Sequence, residues 1–274
     1  MSEPKISIIT VCKNAENAIE RTILSVVTQS CFVENIEYLI IDGASTDKTT
    51  EIIKQYSDKY PIKWISEPDS GIYNAMNKGI KLATGDYLLF LNAGDYLIHY
   101  NIIKSLMIFF KSGDFDLIYG NILYTNPFSQ YCSIYSVDSN ILSSKFFYQE
   151  NLPHQSIFYK RDLFEKFGGY EENFKILADN ILNKKLVCDH LVSTKHIDQV
   201  ISVFLSDGIS STNTKLSLEE RKFFQKNYFG EKEIQEIEEQ RKRAETLKQR
   251  QKHKSLLRFF AKILMKIHNL WINR

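Results

Sequence analysis

Four carboxylates, Asp42, Glu67, Asp69 and Asp95, follow short apolar runs within the first hundred residues. In an open α/β sheet ligands lie beyond the carboxyl ends of the strands, so these acids converge on one rim. Carboxylates placed there can take protons or hold hard cations. Between the first apolar run and the first helical stretch the chain reads Thr10-Val11-Cys12-Lys13-Asn14-Ala15, with no glycine. A dinucleotide-binding turn needs GxGxxG at that place, and a Walker cradle needs its own glycines and lysine. Hydride transfer is therefore disfavoured, and any phosphate must be held by something other than a glycine-rich loop.

The elements that must position these acids alternate short β-branched runs with amphipathic helical stretches, the pattern of a mostly parallel sheet covered by helices. Residues 6–11 predict a first strand. Residues 15–29 predict a helix with Ala18, Ile19, Ile23, Leu24 and Val27 at helical spacing, and 37–41 a second strand ending at Asp42. Ser45, Thr46 and Asp47 offer N-cap chemistry to a helix through Ile52, Ile53 and Tyr56, and 62–66 predicts a third strand. A helix over 72–82 stops at Ala83-Thr84-Gly85, and a fourth strand over 87–91 runs into Asn92-Ala93-Gly94-Asp95. From residue 100 to 206 the pattern is mixed, with helices near 102–110, 161–167 and 179–186 and strands near 117–124 and 156–159. The composition then becomes helix-forming and charge-rich, which predicts a globular domain over 1–214 and a helical extension over 215–274.

The ordered strings Ser7-Ile8-Ile9-Thr10, Ile41-Asp42-Gly43-Ala44-Ser45-Thr46-Asp47, Gly85-Asp86 and Leu91-Asn92-Ala93-Gly94-Asp95 resemble the nucleotide-sugar glycosyltransferases of the GT-A fold, family two. The likeness continues through Pro153-His154-Gln155, Arg161, Phe167-Gly168-Gly169-Tyr170 and Ala178-Asp179-Asn180, and so covers residues 5–210. It implies an α/β GT-A fold, a mostly parallel central sheet flanked by helices, extended here by the C-terminal helices. It also implies an inverting, metal-dependent transfer from a nucleoside diphosphate sugar, with UDP the first expectation and GDP or dTDP not separated from it.

By that resemblance Asp95 would hold Mn2+ or Mg2+, a hard, partly hydrated ion that one carboxylate, diphosphate oxygens and waters can satisfy. Such an ion stabilises the charge that gathers on a leaving diphosphate. Thr10 and Val11 would form the wall beside the base, and Asp42 would bond the nucleobase or ribose. Asp69 and Asn77 lie in a segment that closes over the donor. Asn92 stands where the usual D-x-D has its first acid, and bonds ribose or sugar hydroxyls. Asp179 would take the proton of the acceptor hydroxyl, the usual preceding Glu being Ala178 here, and His154 would approach the diphosphate or acceptor. Each has a plainer alternative: a turn residue at Asp95, caps at Asp42, Asp47, Asp69, Asn77 and Asp179, and a structural histidine at His154.

Composition bounds the rest. The 274 residues carry net charge +2, with 43% hydrophobic and 25% charged, enough for a full core. Four cysteines without a CxxC pair predict reduced thiols in the cytosol rather than a disulfide frame or a structural zinc. Charge is uneven: residues 215–274 hold 16 Lys and Arg against 8 Asp and Glu, leaving the first 214 acidic. Within 253–274, Leu256, Leu257, Phe260, Ile263, Leu264, Ile267, Leu270 and Trp271 form one helical stripe, with Lys254, Arg258, Lys262 and Lys266 on another face and no acid.

A basic amphipathic helix of this kind suits the surface of an anionic bilayer; the alternative is packing on the catalytic domain or on a second copy in a homo-oligomer. No apolar run reaches the ~18 residues of a spanning helix. The expected location is cytoplasmic, peripheral on the inner face of the cytoplasmic membrane. The expected acceptor is a lipid-linked saccharide in O-antigen or capsule assembly, and no nucleic-acid partner is expected. Two rivals stand beside this reading. One is a nucleotidyltransferase, whose basic glycine-rich loop Lys13-Asn14-Ala15-Glu16 does not supply. The other is a non-catalytic scaffold at the membrane whose carboxylates are only caps.

Overall fold

The computed structural model describes residues 3–125, 132–205 and 213–272, with the side chains of 244, 252, 253 and 255–272 outside the described set. The amphipathic faces expected over 253–274 therefore lie outside the described residues. By its contacts the chain forms two compact units, Met1–Phe224 and Gln225–Arg274.

The first unit opens with β1 (Ile6–Cys12), α1 (Ile19–Val27), α2 (Phe32–Asn35), β2 (Ile36–Asp42), α3 (Thr49–Ser57), β3 (Ile62–Ser66), α4 (Ile72–Leu82) and β4 (Tyr87–Phe90). It continues with β5 (Tyr96–Leu97), α5 (Ile102–Ser112), β6 (Leu117–Thr125), β7 (Cys132–Tyr135), α6 (Ser144–Gln149), β8 (Ile157–Lys160), α7 (Asp162–Phe167), α8 (Ala178–Lys184) and β9 (Thr194–Leu205). α9 (Thr214–Asn227) and the 42-residue α10 (Glu231–Ile272) follow.

The strands form one sheet in the order β3-β2-β1-β4-β8-β6-β9-β5, with β7 added on β6. β3, β2, β1 and β4 are parallel, as the alternation of runs predicts. The second half is mixed: β8 runs antiparallel to β4 and β6, and β9 lies parallel to β6 with irregular register. The chain leaves β1 toward β3 and returns on its other side as β4, so a topological switch point opens between β1 and β4.

Both faces of β1 and β2 are buried, which is why their sequences are nearly continuous apolar runs. Ile6 and Ile8 pack with Ile19, Ile23 and Val26 of α1 and with Leu106 and Phe110 of α5 in one core cluster. On the other face α4 lies so close to the sheet that a β-carbon on Gly79 would run into Ile9. At the amino ends of the strands the buried Glu37 ties three elements: it accepts from Ser7 Oγ (2.6 Å), the Thr84 amide (2.7 Å) and Lys63 Nζ (2.8 Å).

α1 begins at Ile19, four residues later than its periodicity predicts. The amides of Asn14, Ala15 and Glu16 turn instead to Ser45 Oγ, Thr49 Oγ1 and Asp47 Oδ2, so the two loops are stitched together by side chains. Asp47 also accepts from the Thr49 amide at the start of α3 (3.0 Å), so it serves both loops.

Candidate functional site

The parallel register sets Cys12 beside Asp42 at the carboxyl ends of β1 and β2. Asp42 is fully buried. Its carboxylate accepts from the Ser45 amide (2.9 Å), Ser45 Oγ, Ser66 Oγ (2.6 Å) and Cys12 Sγ (3.6 Å). A carboxylate offers about four lone-pair sites, so a nucleotide would have to take over one of these bonds. Burial, and after it the Asp42 charge, push the Cys12 thiol far up, which keeps it a protonated donor rather than a nucleophile. Ala44 sits at φ 56, a region that favours glycine, held there by the Ser45 bonds to Asp42.

Asp69 accepts from the Gly71 amide (3.1 Å) and lies against Gly43 and near Lys13, which places it on the same rim as Asp42. Thr10 is not on that rim: it is wholly buried, and its hydroxyl donates to the Leu91 carbonyl (2.8 Å), tying β1 to the end of β4. Val11 is buried as well. Asn77 faces a loop. Its amide nitrogen donates to the Tyr170 carbonyl (2.9 Å) and Glu172 Oε1 (2.9 Å), and its oxygen accepts from the Tyr170 amide (2.8 Å).

Beyond β4 the chain makes the turn Asn92 to Asp95, with Gly94 at φ 108, where a side chain would be strained. α1 fixes this turn: the buried Thr22 accepts from the Gly94 amide (2.9 Å) and donates to the Asp95 carbonyl (2.8 Å), and Arg21 donates to the Gly94 carbonyl (3.1 Å). Asp95 is only 6% exposed.

Three predicted residues from distant parts of the chain meet at the seam of β4 and β8. The Asn92 amide nitrogen lies 3.1 Å from His154 Nε2, and His154 Nδ1 lies 3.2 Å from Asp179 Oδ2. With Asn92 donating, Nε2 accepts and the proton on Nδ1 points at Asp179, a neutral tautomer. Asp179 Oδ1 accepts from the Asn180 amide (2.8 Å) and lies 3.3 Å from the Tyr73 hydroxyl. His154 sits in a single 3-10 turn after Pro153. That turn is held to α8 by Asn183, whose amide nitrogen donates to Asn151 Oδ1 (3.2 Å) and the Leu152 carbonyl (3.3 Å). Gln155 is buried beside it. Arg161 stands apart: it bonds the Gly85 carbonyl (3.1 Å) at the amino end of β4, opposite the Asn92 turn.

Sequence reasoning passed over two neighbours of this centre. The Tyr73 hydroxyl donates to the Ile176 carbonyl (2.6 Å), and burial followed by the Asp179 charge raises its proton affinity strongly. Tyr73 lies between Asp69 and Asn77, in the segment that the resemblance sets over the donor. Tyr124, at the end of β6, is raised by burial and then by Asp179, Glu150 and Asp95, so it feels both predicted acids. Its ring meets Tyr135 and Phe204 edge-on at 6.0 and 5.1 Å.

The donor set suits a hard cation. Asp95 and Asn92 bring oxygens to the two ends of one turn, and the buried Oδ1 of Asn92 has no hydrogen-bond partner. A cation or a hydroxyl of a sugar nucleotide would satisfy it. Among the described residues no group of three or more His, Cys, Asp or Glu side chains is placed to hold a metal. A cation here would be completed mainly by oxygens from outside the protein.

A parallel half-sheet with acids on its strand-end rim, joined to a mixed half that carries an Asp–His pair, is the architecture of a GT-A transferase. The model of glycosyl transferase family 2 matches residues 7–166, more than half of the chain, and the chain belongs to that family. It is a glycosyltransferase. It is 29% identical over 216 residues to a PGL/p-HBAD biosynthesis glycosyltransferase of Mycobacterium bovis, covering 77% of this chain and 81% of that protein. It is 31% identical over 223 residues to an uncharacterized glycosyltransferase of Mycobacterium tuberculosis, covering 77% and 78%.

Among solved structures, Staphylococcus aureus TarS 1–349 in complex with UDP-GlcNAc superposes with TM-score 0.64 at 19% identity, over 77% of this chain and 61% of that one. The mannosyltransferase PcManGT of Pyrobaculum calidifontis, in complex with GDP-Man and Mn2+, gives 0.58 at 14% identity, over 74% and 57%. This chain thus spans less than two thirds of either solved chain, and at these identities the likeness is one of fold.

Proposed function

We propose that this glycosyltransferase moves a sugar, with inversion, from a nucleoside diphosphate donor to a hydroxyl of a saccharide acceptor, with Asp179 as the base. The observation that carries the reading is the Asn92–His154–Asp179 chain of contacts, which joins the donor-side turn to the start of α8. The acceptor hydroxyl gives its proton to Asp179 as its oxygen bonds the anomeric carbon. The bond from that carbon to the diphosphate breaks, and its electron pair leaves with the phosphate. His154 donates from Nδ1 to Asp179 Oδ2 and so fixes the orientation of the carboxylate. Asp95 is the residue that would hold a divalent cation, which when bound stabilises the charge on the leaving diphosphate.

A UDP-sugar is the favoured donor. One similar fold is solved with UDP-GlcNAc and another with GDP-Man and Mn2+, which together support a nucleoside diphosphate sugar as donor. The acceptor is a lipid-linked saccharide of O-antigen or capsule assembly, met at the inner face of the membrane through the basic residues 253–274. Among the described residues no helix is long and apolar enough to cross a membrane.

Thermal unfolding against UDP, GDP, CDP and dTDP, each with and without Mn2+, tests the donor site. A nucleotide at about 100 times its dissociation constant should add about 2.7 kcal/mol. The expected result is a metal-dependent shift with UDP that disappears in Asp95→Ala. No shift with any nucleotide in the folded protein would sink the assignment.

A further inference from the structure

We infer that Glu220, on α9, is a positioning residue for the Asp179 centre; this rests on the reading of Asp179 as the base. Glu220 is a buried acid on a mostly exposed helix, and its carboxylate bonds one short stretch of backbone. Its Oε1 accepts from the Lys175 amide (2.7 Å). Its Oε2 accepts from the amides of Ile176 (2.9 Å) and Leu177 (3.0 Å). Leu177 is the N-cap residue of α8 and makes no side-chain cap bond of its own, and Asp179 is the second residue of that helix.

A helix start leaves amides without intrahelical partners, and here a carboxylate from a remote helix collects the three that lead into the turn. Charge-assisted bonds of this kind are about twice as strong as neutral ones.

The same peptide is held from its other side. The Ile176 amide donates to Glu220 while the Ile176 carbonyl accepts from the Tyr73 hydroxyl, which lies 3.3 Å from Asp179 Oδ1. Lys175 Nζ adds a bond to the Ser70 carbonyl (2.7 Å) at the start of α4. The approach to α8 is thus clamped between α4 and α9, where the Glu220 carboxylate stands beside the Phe223 ring that meets Phe174 edge-on at 5.7 Å. Glu220 touches no reacting atom; it acts by fixing where Asp179 and its partner His154 stand. Displacements of about 1 Å at such a centre cost about 100-fold in rate.

The neutral isostere is the informative variant. In Glu220→Gln one of the two acceptor oxygens becomes an N–H donor that faces a backbone N–H, so the clamp is broken with little change of volume. Arg221→Ala is the control on the same helix: it removes only the bond to the Gln149 carbonyl (3.2 Å), which does not reach the α8 turn. On the full chain, hydrogen exchange by mass spectrometry reads the amides of 175–177. Release of nucleoside diphosphate from UDP-GlcNAc, UDP-Glc and GDP-Man with Mn2+ reads turnover.

Glu220→Gln should lose protection at 175–177 while the sheet strands keep theirs. Its kcat should fall about 10- to 100-fold, with the donor KM within about twofold of the parent, while Arg221→Ala matches the parent in both readouts. Unchanged protection, protection lost evenly across the chain, or full turnover despite local loss would each overturn the inference. An Asp179→Asn control as active as the parent would instead show that the base assignment has failed, and with it any catalytic purpose for a clamp that the exchange data could still display.

Discussion

Asn77 illustrates how a polar side chain in a donor-facing segment can be taken up by the protein itself. All three of its bonds go to residues 170–172, and Gly169 packs against its amide oxygen. Asn77→Ala strands the Tyr170 amide and carbonyl, at a cost of about 1–3 kcal/mol, readable as a lower urea midpoint. If Asn77 acts only as this clasp, the nucleotide-induced thermal shift survives the substitution; a lost shift would return Asn77 to the donor site. Asp42 and Thr10 belong to the same group, because their lone pairs and hydroxyl are already engaged. Sequence strings singled out all three, but only Asp42 lies on the rim. They did not reveal partners such as Ser66 or Leu91, since those bonds join residues 24 and 81 positions apart.

At the scale of elements, the parallel half of the sheet was legible because strands buried on both faces write continuous apolar runs and their helices write a 3.6-residue period. β3 and α4 fall at the predicted bounds. The mixed half was less legible: β5 has two residues, β7 four, and β9 carries a shifted register that blurs any alternation. α9 offered even less, because its buried residues, Glu220 and Phe224, stand among charged and exposed neighbours.

Element junctions also set the acid response. Burial works against the Glu37 carboxylate, but bonds from Lys63, Ser7 and Thr84 outweigh it and hold its pKa at about 2 against an ordinary 4.5. A depressed folded pKa gives stability that is full above about 4.5 and is lost as pH falls toward about 2. The contribution is on the order of 3 kcal/mol. Urea unfolding of the parent should weaken across that window, and Glu37→Gln should show a flatter dependence there. Equal slopes in the two proteins would show that the junction does not carry the acid response.

For the molecule as a whole, two halves of one sheet contribute different parts of the candidate site. The parallel half brings the acid rim and the Asn92–Asp95 turn; the mixed half and α8 bring His154 and Asp179. The seam between them, at β4 and β8, is where the three-residue chain forms. Asn92, His154 and Asp179 all lie within the unit Met1–Phe224.

The most direct test of the account is turnover by Asp179→Asn in the full chain, measured beside the nucleotide-induced thermal shift. Loss of a general base lowers kcat by about 100- to 10,000-fold. The prediction is a loss of that size with the thermal shift intact, since the proposed donor rim lies on the other half of the sheet. Turnover within a few-fold of the parent would contradict the assignment of Asp179 as the group that takes the acceptor's proton.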